Sequence, residues 1–335
     1  MPTSWAWCPP PPRIPPAAPC CARSRRDSAA AERGSGRGRP VVAFGVDSWS
    51  PPRNLADAVV HDGRHAWLAA LPAIVHELEE RWGLTLGAPY QPGGQTAWVA
   101  PARGADGADL VLKVGWSHPE AAQEADGLRE WDGDGAVRLH ASATFDDTVA
   151  LLLERCVPGT TLASRPEPEQ DVVIAELLRR LWREPAPGHR FRSLKLMCDA
   201  WADECEQKIV AGRSGVDAGL ARQGLELFRL LPTTAERNVM LCTDLHAANV
   251  LASEREPWLV IDPKPHIGDP TYDVLQHLLN CDERLQADPH GLAVRMAGLL
   301  GLDQDRVLLW LFARCVQESP DWPALGAVAR RIAPT

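Results

Sequence analysis

Two carboxylates and an amide, Asp244, Asn249 and Asp262, frame a segment whose apolar pattern doubles back on itself: CTDLHAANVLASEREPWLVIDPKP, residues 242 to 265. NVLA and WLVI are short apolar arms, and SEREP between them is a polar, proline-containing turn, so the spacing predicts a hairpin. A hairpin returns Asp262 toward Asp244 and Asn249. That geometry confines the chain to folds that present such a hairpin at a cleft. Taken singly, each aspartate is as readily a cap or a turn residue. Taken together, carboxylate and amide oxygens form a hard donor set suited to magnesium, which keeps several waters and bridges nucleotide phosphates.

The rest of the chain supplies room for two lobes. It has 335 residues, 45% hydrophobic and 24% charged, with no apolar run long enough to span a bilayer. Residues 1–40 are Pro-, Ala-, Arg- and Gly-rich, a mixture that cannot bury enough apolar surface to offset chain entropy, and are expected to be disordered. They place prolines before arginines, unlike a secretory signal, and read as an upstream extension. Seven arginines against Asp27 and Glu32 make this tail basic, which leaves about −14 of the chain's net −9 on the remainder. Such a body favours a cationic small molecule over nucleic acid. Nine cysteines without a CxxC pair or a zinc-spaced Cys/His cluster fit a reducing, cytoplasmic compartment. Cys242, two residues before Asp244, is expected to pack as a small hydrophobe.

Helical spacing over 65–83 predicts a leading helix, with a break at Pro72. Strand-like runs near 92–100 and 108–116 flank the turn RGADGAD and predict a hairpin. A helix over 118–132 and strands near 136–140 and 148–156 complete a small sheet with one helix. VPGTTL at 157–162 interrupts this pattern, and amphipathic helices dominate beyond about 171. Three further helical stretches are expected from about Pro270, Glu283 and Asp303. The reading is α+β, with an N-terminal lobe over 41–156 and a mostly helical C-terminal lobe over 157–335.

TDLHAANVL followed by LVIDPKPHIGDPTYDVLQHLLN resembles the aminoglycoside phosphotransferase superfamily, and within it the streptomycin 6-phosphotransferase and hydroxyurea-type antibiotic kinases. The likeness runs over roughly 65–330 in motif order. It implies a bilobal, protein-kinase-like fold and phosphorylation of an antibiotic hydroxyl with ATP and magnesium. Asp244 and Asn249 stand five apart, as in a kinase catalytic loop, where the aspartate orients the attacking hydroxyl and the asparagine holds a metal. Asp262 is then the second metal ligand. Many kinases carry histidine where this chain has Cys242; that position is ordinarily a scaffold contact.

Lys113 sits in the apolar strand ADLVLKVGW, where an ammonium is costly to bury unless it is paired. The resemblance makes its partners nucleotide phosphates and a helix glutamate, Glu124, with Glu120 as the substitute. Gly93, Gly94, Gln95 and Thr96 form a turn whose backbone amides can approach phosphates, although an ordinary hairpin turn looks the same. LLLERCVPG resembles a kinase hinge, so backbone groups around Glu154, Arg155 and Cys156 are expected at adenine. His246 is expected to hydrogen-bond within its loop. Lys264 either offsets phosphate charge or pairs with a carboxylate. Asp269 and Asp273 suit a helix start, Asp273 as scaffold.

Substrate choice falls to the helical lobe. A guanidino or amino sugar calls for carboxylates near Asp244, and Asp199, Asp203 and Glu206 recur at helical spacing beside Leu194, Met197, Trp201 and Cys205. Glu318 and Asp321 are second candidates. A solvated helix face has the same pattern. Other small hydroxylated substrates, or a nucleotide-binding pseudokinase, remain open at this point. No protein partner is implied.

Overall fold

A computed structural model describes residues 49–119 and 121–334. The basic tail and Glu120 lie outside the described residues, and so does the expectation of disorder through Pro40.

Two helices come first, α1 (Arg53–Asp62) and α2 (His65–Trp82). Pro72 lies inside α2 without interrupting it, contrary to the expected break. The buried stripe Trp67, Leu71, Val75 and Leu78 explains this: tertiary packing of one face outweighs a single lost backbone bond. A five-stranded antiparallel sheet follows, built from β1 (Leu84–Leu86), β2 (Ala97–Gly104), β3 (Asp109–Trp116), β4 (Leu139–Phe145) and β5 (Thr148–Glu154) in the order β1-β2-β3-β5-β4. The β2–β3 turn closes on Gly104 N–H to Ala108 O at 3.0 Å, with Gly107 at φ +85°. Residues 92–96 precede the strand rather than belonging to it, and the strand expected near 136–140 begins at Leu139.

Helix α3 (Glu124–Trp131) starts six residues later than its sequence pattern suggests. Pro119 and residues 121–123 are turn instead, and the His118 carbonyl accepts from Ala121 and Ala122 N–H at 3.1 and 3.0 Å. Gly127 lets α3 approach the second half of the chain closely, since a Cβ there would lie 2.8 Å from Pro265 Cγ.

The chain then forms β6 (Pro158–Thr161) and three long helices, α4 (Glu167–Leu181), α5 (Leu194–Val210) and α6 (Ala218–Leu230). Short strands β7 (Val239–Leu241), β8 (Val250–Ser253), β9 (Leu259–Val260) and β10 (His266–Gly268) give two small antiparallel sheets, β10-β7 and β6-β8-β9. The hairpin foreseen in NVLASEREPWLVID is the β8–β9 pair.

Beyond it, 3₁₀ residues Pro270–Val274 lead into α7 (Leu275–Asn280), α8 (Asp282–Ala287), α9 (Pro289–Leu300), α10 (Gln304–Glu318) and α11 (Pro323–Arg331). That is more helices than the three stretches expected, because Asp288 before Pro289 and Trp322 before Pro323 cut the periodic runs.

Two hydrophobic clusters follow this division. One gathers Leu55, Trp67, Leu78, Trp98, Leu112 and Ala150 around the outer face of the five-stranded sheet. The other holds the helical half together, and Leu128, Trp131, Leu151 and Leu153 join it from the N-terminal half. Helix α3 thus packs on the helical lobe as well as on its own sheet, and the cleft between the lobes lies beside it.

Candidate active site

Central strand β3 carries Lys113 between Val99 and Leu151 on its two neighbours. Its Nζ lies 2.7 Å from both carboxylate oxygens of Glu124 and 2.7 Å from Asp262 Oδ1. Glu124, the first residue of α3, is 2% exposed; burial pushes its carboxyl upward while Lys113 pulls against that. Lys264 Nζ also meets Asp262 Oδ1 and donates to the Asp262 carbonyl at 3.1 Å. Enclosure works against charge on Asp262, yet the two ammonium groups hold it well below the ordinary carboxylate range. Lys264 thus makes the carboxylate pairing that is one of the two uses considered for it.

Asp262 adopts φ +54° and Thr243 φ +50°, left-handed backbone at two non-glycine residues. Such positions cost of order 1–3 kcal/mol each and persist only where surroundings fix them. Here the two strained turns fasten each other. Lys264 N–H donates to Cys242 O at 2.8 Å, and Thr243 Oγ1 donates to Lys264 O at 2.5 Å. Ile261 N–H donates to Asn249 O at 2.9 Å, which holds the two ends of the hairpin together. Asn249 Nδ2 donates to the Asp244 carbonyl at 3.0 Å and stands 3.4 Å from Asp244 Oδ2. Asp244, Asn249 and Asp262 therefore belong to one bonded unit, although 18 positions separate the first from the last.

Beneath that unit lies Asp273, 1% exposed, which accepts from Cys242 N–H at 2.9 Å, Thr243 N–H at 2.6 Å and Trp182 Nε1–H at 3.0 Å. Burial raises its carboxyl to about 6 despite these donors. Scaffold was the sequence expectation for Asp273; that it holds the Asp244 loop was not readable from a helix-start pattern. Cys242 is fully buried and burial pushes its thiol far up, as suits a packing residue. His246 contributes its carbonyl, which accepts from Asn249 N–H at 2.9 Å, and burial lowers its imidazole to about 4.

Thr96, Lys113, Glu124, Asp262 and Lys264 line one cavity, together with His118 and Trp116. His118 is 6% exposed and stacks on Trp116 with ring centroids 6.0 Å apart. Burial first, then Lys264, push it to about 4. No sequence signal marks a lone histidine in a turn, and only the folding of that turn over Lys113 brings it here.

Other expected residues stand elsewhere. Gly93 faces α1 rather than the cavity: its carbonyl accepts from Asn54 Nδ2 at 2.8 Å, and a Cβ on it would lie 2.4 Å from Pro52. Gly94 and Gln95 belong to the same turn; Thr96 after them is the one that lines the cavity, and its O accepts from Trp116 N–H at 2.9 Å. At the proposed hinge, Glu154 N–H is taken by Arg138 O at 2.9 Å and its carboxylate by Arg255 at 2.8 and 2.9 Å, so this residue braces the β8–β9 turn. Cys156 is half-buried with its thiol raised to about 11, and Arg155 reaches Asp109 at 3.8 Å.

The carboxylates considered for a cationic substrate each meet a cation of the chain itself. Asp199 pairs with Lys195 at 2.5 Å, and Asp203 and Glu206 both pair with Arg229, at 2.6 and 2.8 Å. Glu318 meets Arg314 at 2.7 Å in a buried pair, and Asp321 binds Lys208 at 2.5 Å as well as Arg213. Asp269 caps Thr271 N–H at 2.9 Å and accepts from Trp310 Nε1 at 2.7 Å and Arg306 Nε at 2.7 Å, which makes it an anchor for α10.

A sheet carrying a buried lysine–glutamate pair, set against a helical lobe whose loop and hairpin present Asp244, Asn249 and Asp262, is the architecture of protein-kinase-like phosphotransferases. The solved aminoglycoside phosphotransferase APH(3'')-Id from Streptomyces rimosus, a complex with ADP and streptomycin, shares the fold at a TM-score of 0.50 and 17% identity, covering 78% of this chain and 98% of that one. The sequence matches the aminoglycoside/hydroxyurea antibiotic resistance kinase family over residues 59–325, and the chain belongs to that family. It is 36% identical over 262 residues to the streptomycin 6-kinase of Streptomyces glaucescens, covering 76% of this chain and 83% of the relative. It is 37% identical over 258 residues to the hydroxyurea phosphotransferase of Kitasatospora aureofaciens, covering 75% and 73%. Among the described residues, no helix is long and apolar enough to cross a membrane.

Proposed function

We propose that this protein transfers the γ-phosphoryl group of ATP to a hydroxyl of an aminoglycoside, with the streptomycin 6-hydroxyl as the acceptor. The observation that carries this reading is the meeting of Lys113, Glu124, Lys264 and Asp262 in one cavity, with the Asp244–Asn249 loop bonded to it. Relatives that share about a third of the sequence supply the substrate class.

In this mechanism Lys113, held by Glu124, contacts the nucleotide phosphates, and Lys264 adds positive charge beside them. Asp244 accepts the hydrogen of the acceptor hydroxyl and aligns its oxygen with the terminal phosphorus. The new P–O bond forms as the bond from that phosphorus to the bridging oxygen of ADP breaks, and the hydroxyl proton passes to Asp244. No covalent enzyme intermediate is needed. The donor set fits magnesium: Asn249 spends its Nδ2 on Asp244, which leaves its Oδ1 for a cation, and Asp262 spends Oδ1 on the two lysines, which leaves Oδ2. When bound, the ion neutralises charge on the phosphates. The hinge segment 154–156 is the proposed adenine edge.

Hydroxyurea is a second reading, favoured by one observation. The carboxylates best placed by sequence to hold a polycation are already neutralised by Lys195, Arg229, Arg314 and Lys208. Purified protein incubated with ATP, magnesium and either compound, followed by mass spectrometry, decides. Streptomycin gaining one phosphoryl group supports the first reading, hydroxyurea alone gaining it supports the second, and neither gaining it rejects both.

A further inference from the structure

Gln123 sits immediately before Glu124, at the N-terminal end of α3, and its carboxamide reaches into the other lobe. Its Nε2 donates to Arg190 O at 2.6 Å, and its Oε1 accepts from Arg192 N–H at 2.7 Å. One side chain thus bonds a carbonyl and an N–H two residues apart, the pattern by which a neighbouring peptide group pairs with a strand edge. The segment it pairs with adjoins β10 of the helical lobe through an isolated bridge. Ile267 N–H donates to Arg192 O at 2.9 Å, and Ser193 bridges Ile267 in parallel fashion. Ile267 lies in β10, three residues after Lys264, and β10 pairs with β7, which runs into the Asp244 loop. A continuous hydrogen-bonded path therefore leads from the residue beside Glu124 to both turns that carry the acidic groups.

The energetic setting makes this bridge consequential. Glu124 approaches Lys113 and Asp262 through a helix of only eight residues, too short to hold its own position in isolation. Its N-terminal turn has no side-chain cap of its own. Leu128, Trp131 and Gly127 fix the later part of the helix against the helical lobe. The first turn, where Glu124 lies, is tied across the cleft by Gln123.

We infer that Gln123 is a positioning residue: its carboxamide clamps the start of α3 to residues 190–192 and so sets Glu124, and through it Lys113, relative to Asp262 and Asp244. This rests on the phosphotransfer reading for its kinetic consequence but not for its structural one.

Two variants separate the contributions. Gln123→Ala removes both bonds, whereas Gln123→Glu keeps an acceptor for Arg192 N–H and loses the donor to Arg190 O. Turnover by the full-length protein is expected to fall roughly ten- to hundredfold in the alanine variant and less in the glutamate variant, the scale set by misplacing a catalytic group by an ångström or so. The acceptor KM should move much less than kcat. Hydrogen exchange of the nucleotide-free protein is expected to quicken at amides 124–127 and 190–193 together, with the amides of α6 and α10 unchanged. Equal exchange at both segments in wild type and Gln123→Ala would overturn the clamp, as would unaltered kcat in an active enzyme. Faster exchange spread over the whole chain would also overturn it, by showing a global loss of stability. If wild type phosphorylates neither streptomycin nor hydroxyurea, the functional reading fails, and the exchange experiment still decides the clamp.

Discussion

Lys113 and Asp262 are 149 residues apart in the chain and 2.7 Å apart in space. The contact joins a strand of the antiparallel sheet to a turn of the helical lobe, so it exists only when the two halves close on each other. Lys113 is also the counter-ion of buried Glu124, so the same ammonium serves the buried pair and, in the proposed mechanism, the nucleotide phosphates.

These two roles separate by mutation. Lys113→Met leaves Glu124 buried without its partner and should destabilise the protein by about 3–5 kcal/mol, the usual consequence of removing one member of a buried pair. Adding Glu124→Gln removes the stranded charge. The double variant should recover most of the loss in chemical denaturation while its nucleotide affinity stays as low as in the single variant. Recovery of both together would mean that Lys113 acts on nucleotide only through stability.

Asp244 should matter to chemistry and little to nucleotide binding. Asp244→Ala is expected to lower turnover by roughly 10²–10⁴-fold, with ATP affinity by calorimetry within about threefold of wild type. Turnover near wild type would remove Asp244 from the mechanism.

The two oxygens of Asp273 both accept from the loop, Oδ2 from Cys242 N–H and Oδ1 from Thr243 N–H. Asp273→Asn sets an NH₂ group against one of these donors, so one buried N–H loses its partner at a cost of about 1–3 kcal/mol. Stability should fall by that amount, and kcat should drop further than instability explains, because Thr243 adjoins Asp244. A variant with normal kcat at a temperature where it is fully folded would show that the loop holds its shape unaided.

Asp171 provides a pH test remote from the cleft. It is fully buried and bonds His277 at 2.9 Å, Arg284 at 2.8 and 3.0 Å and Arg295 at 2.6 Å. Cys281 Sγ lies 3.8 Å from His277 Nε2, a grouping with metal-ligand chemistry, but both Asp171 oxygens are already engaged by arginines. Burial opposes its charge, and the His277 and arginine hydrogen bonds overcome that, holding the carboxyl well below its ordinary 3.8. A depressed folded value contributes stability above the unfolded value and loses it as pH falls below. Urea denaturation should show Asp171→Asn less stable than wild type by about 3 kcal/mol at pH 7, the difference shrinking only below about pH 4. A constant difference from pH 7 to pH 3 would show that the carboxylate charge is not what the network stabilises.

Local patterns in the chain were enough for the hairpin that carries Asn249 and Asp262, for the lysine-bearing strand and its need of an anion, and for the run of amphipathic helices, whereas Glu124 as that anion followed from the resemblance. Each such pattern is written in residues close together, where alternation, turn chemistry and the cost of an unpaired charge act directly. The uninterrupted helix through Pro72, the use of Gly93 against Pro52, and the neutralised carboxylates of α5 and α10 depended on distant partners, so no local pattern announced them. Closure of the two lobes decided the rest. It placed His118 over the cavity, set Asp273 under the Asp244 loop and brought Gln123 to Arg190 and Arg192, because hydrogen bonds and ion pairs between remote segments form only after the hydrophobic cores have fixed which surfaces meet.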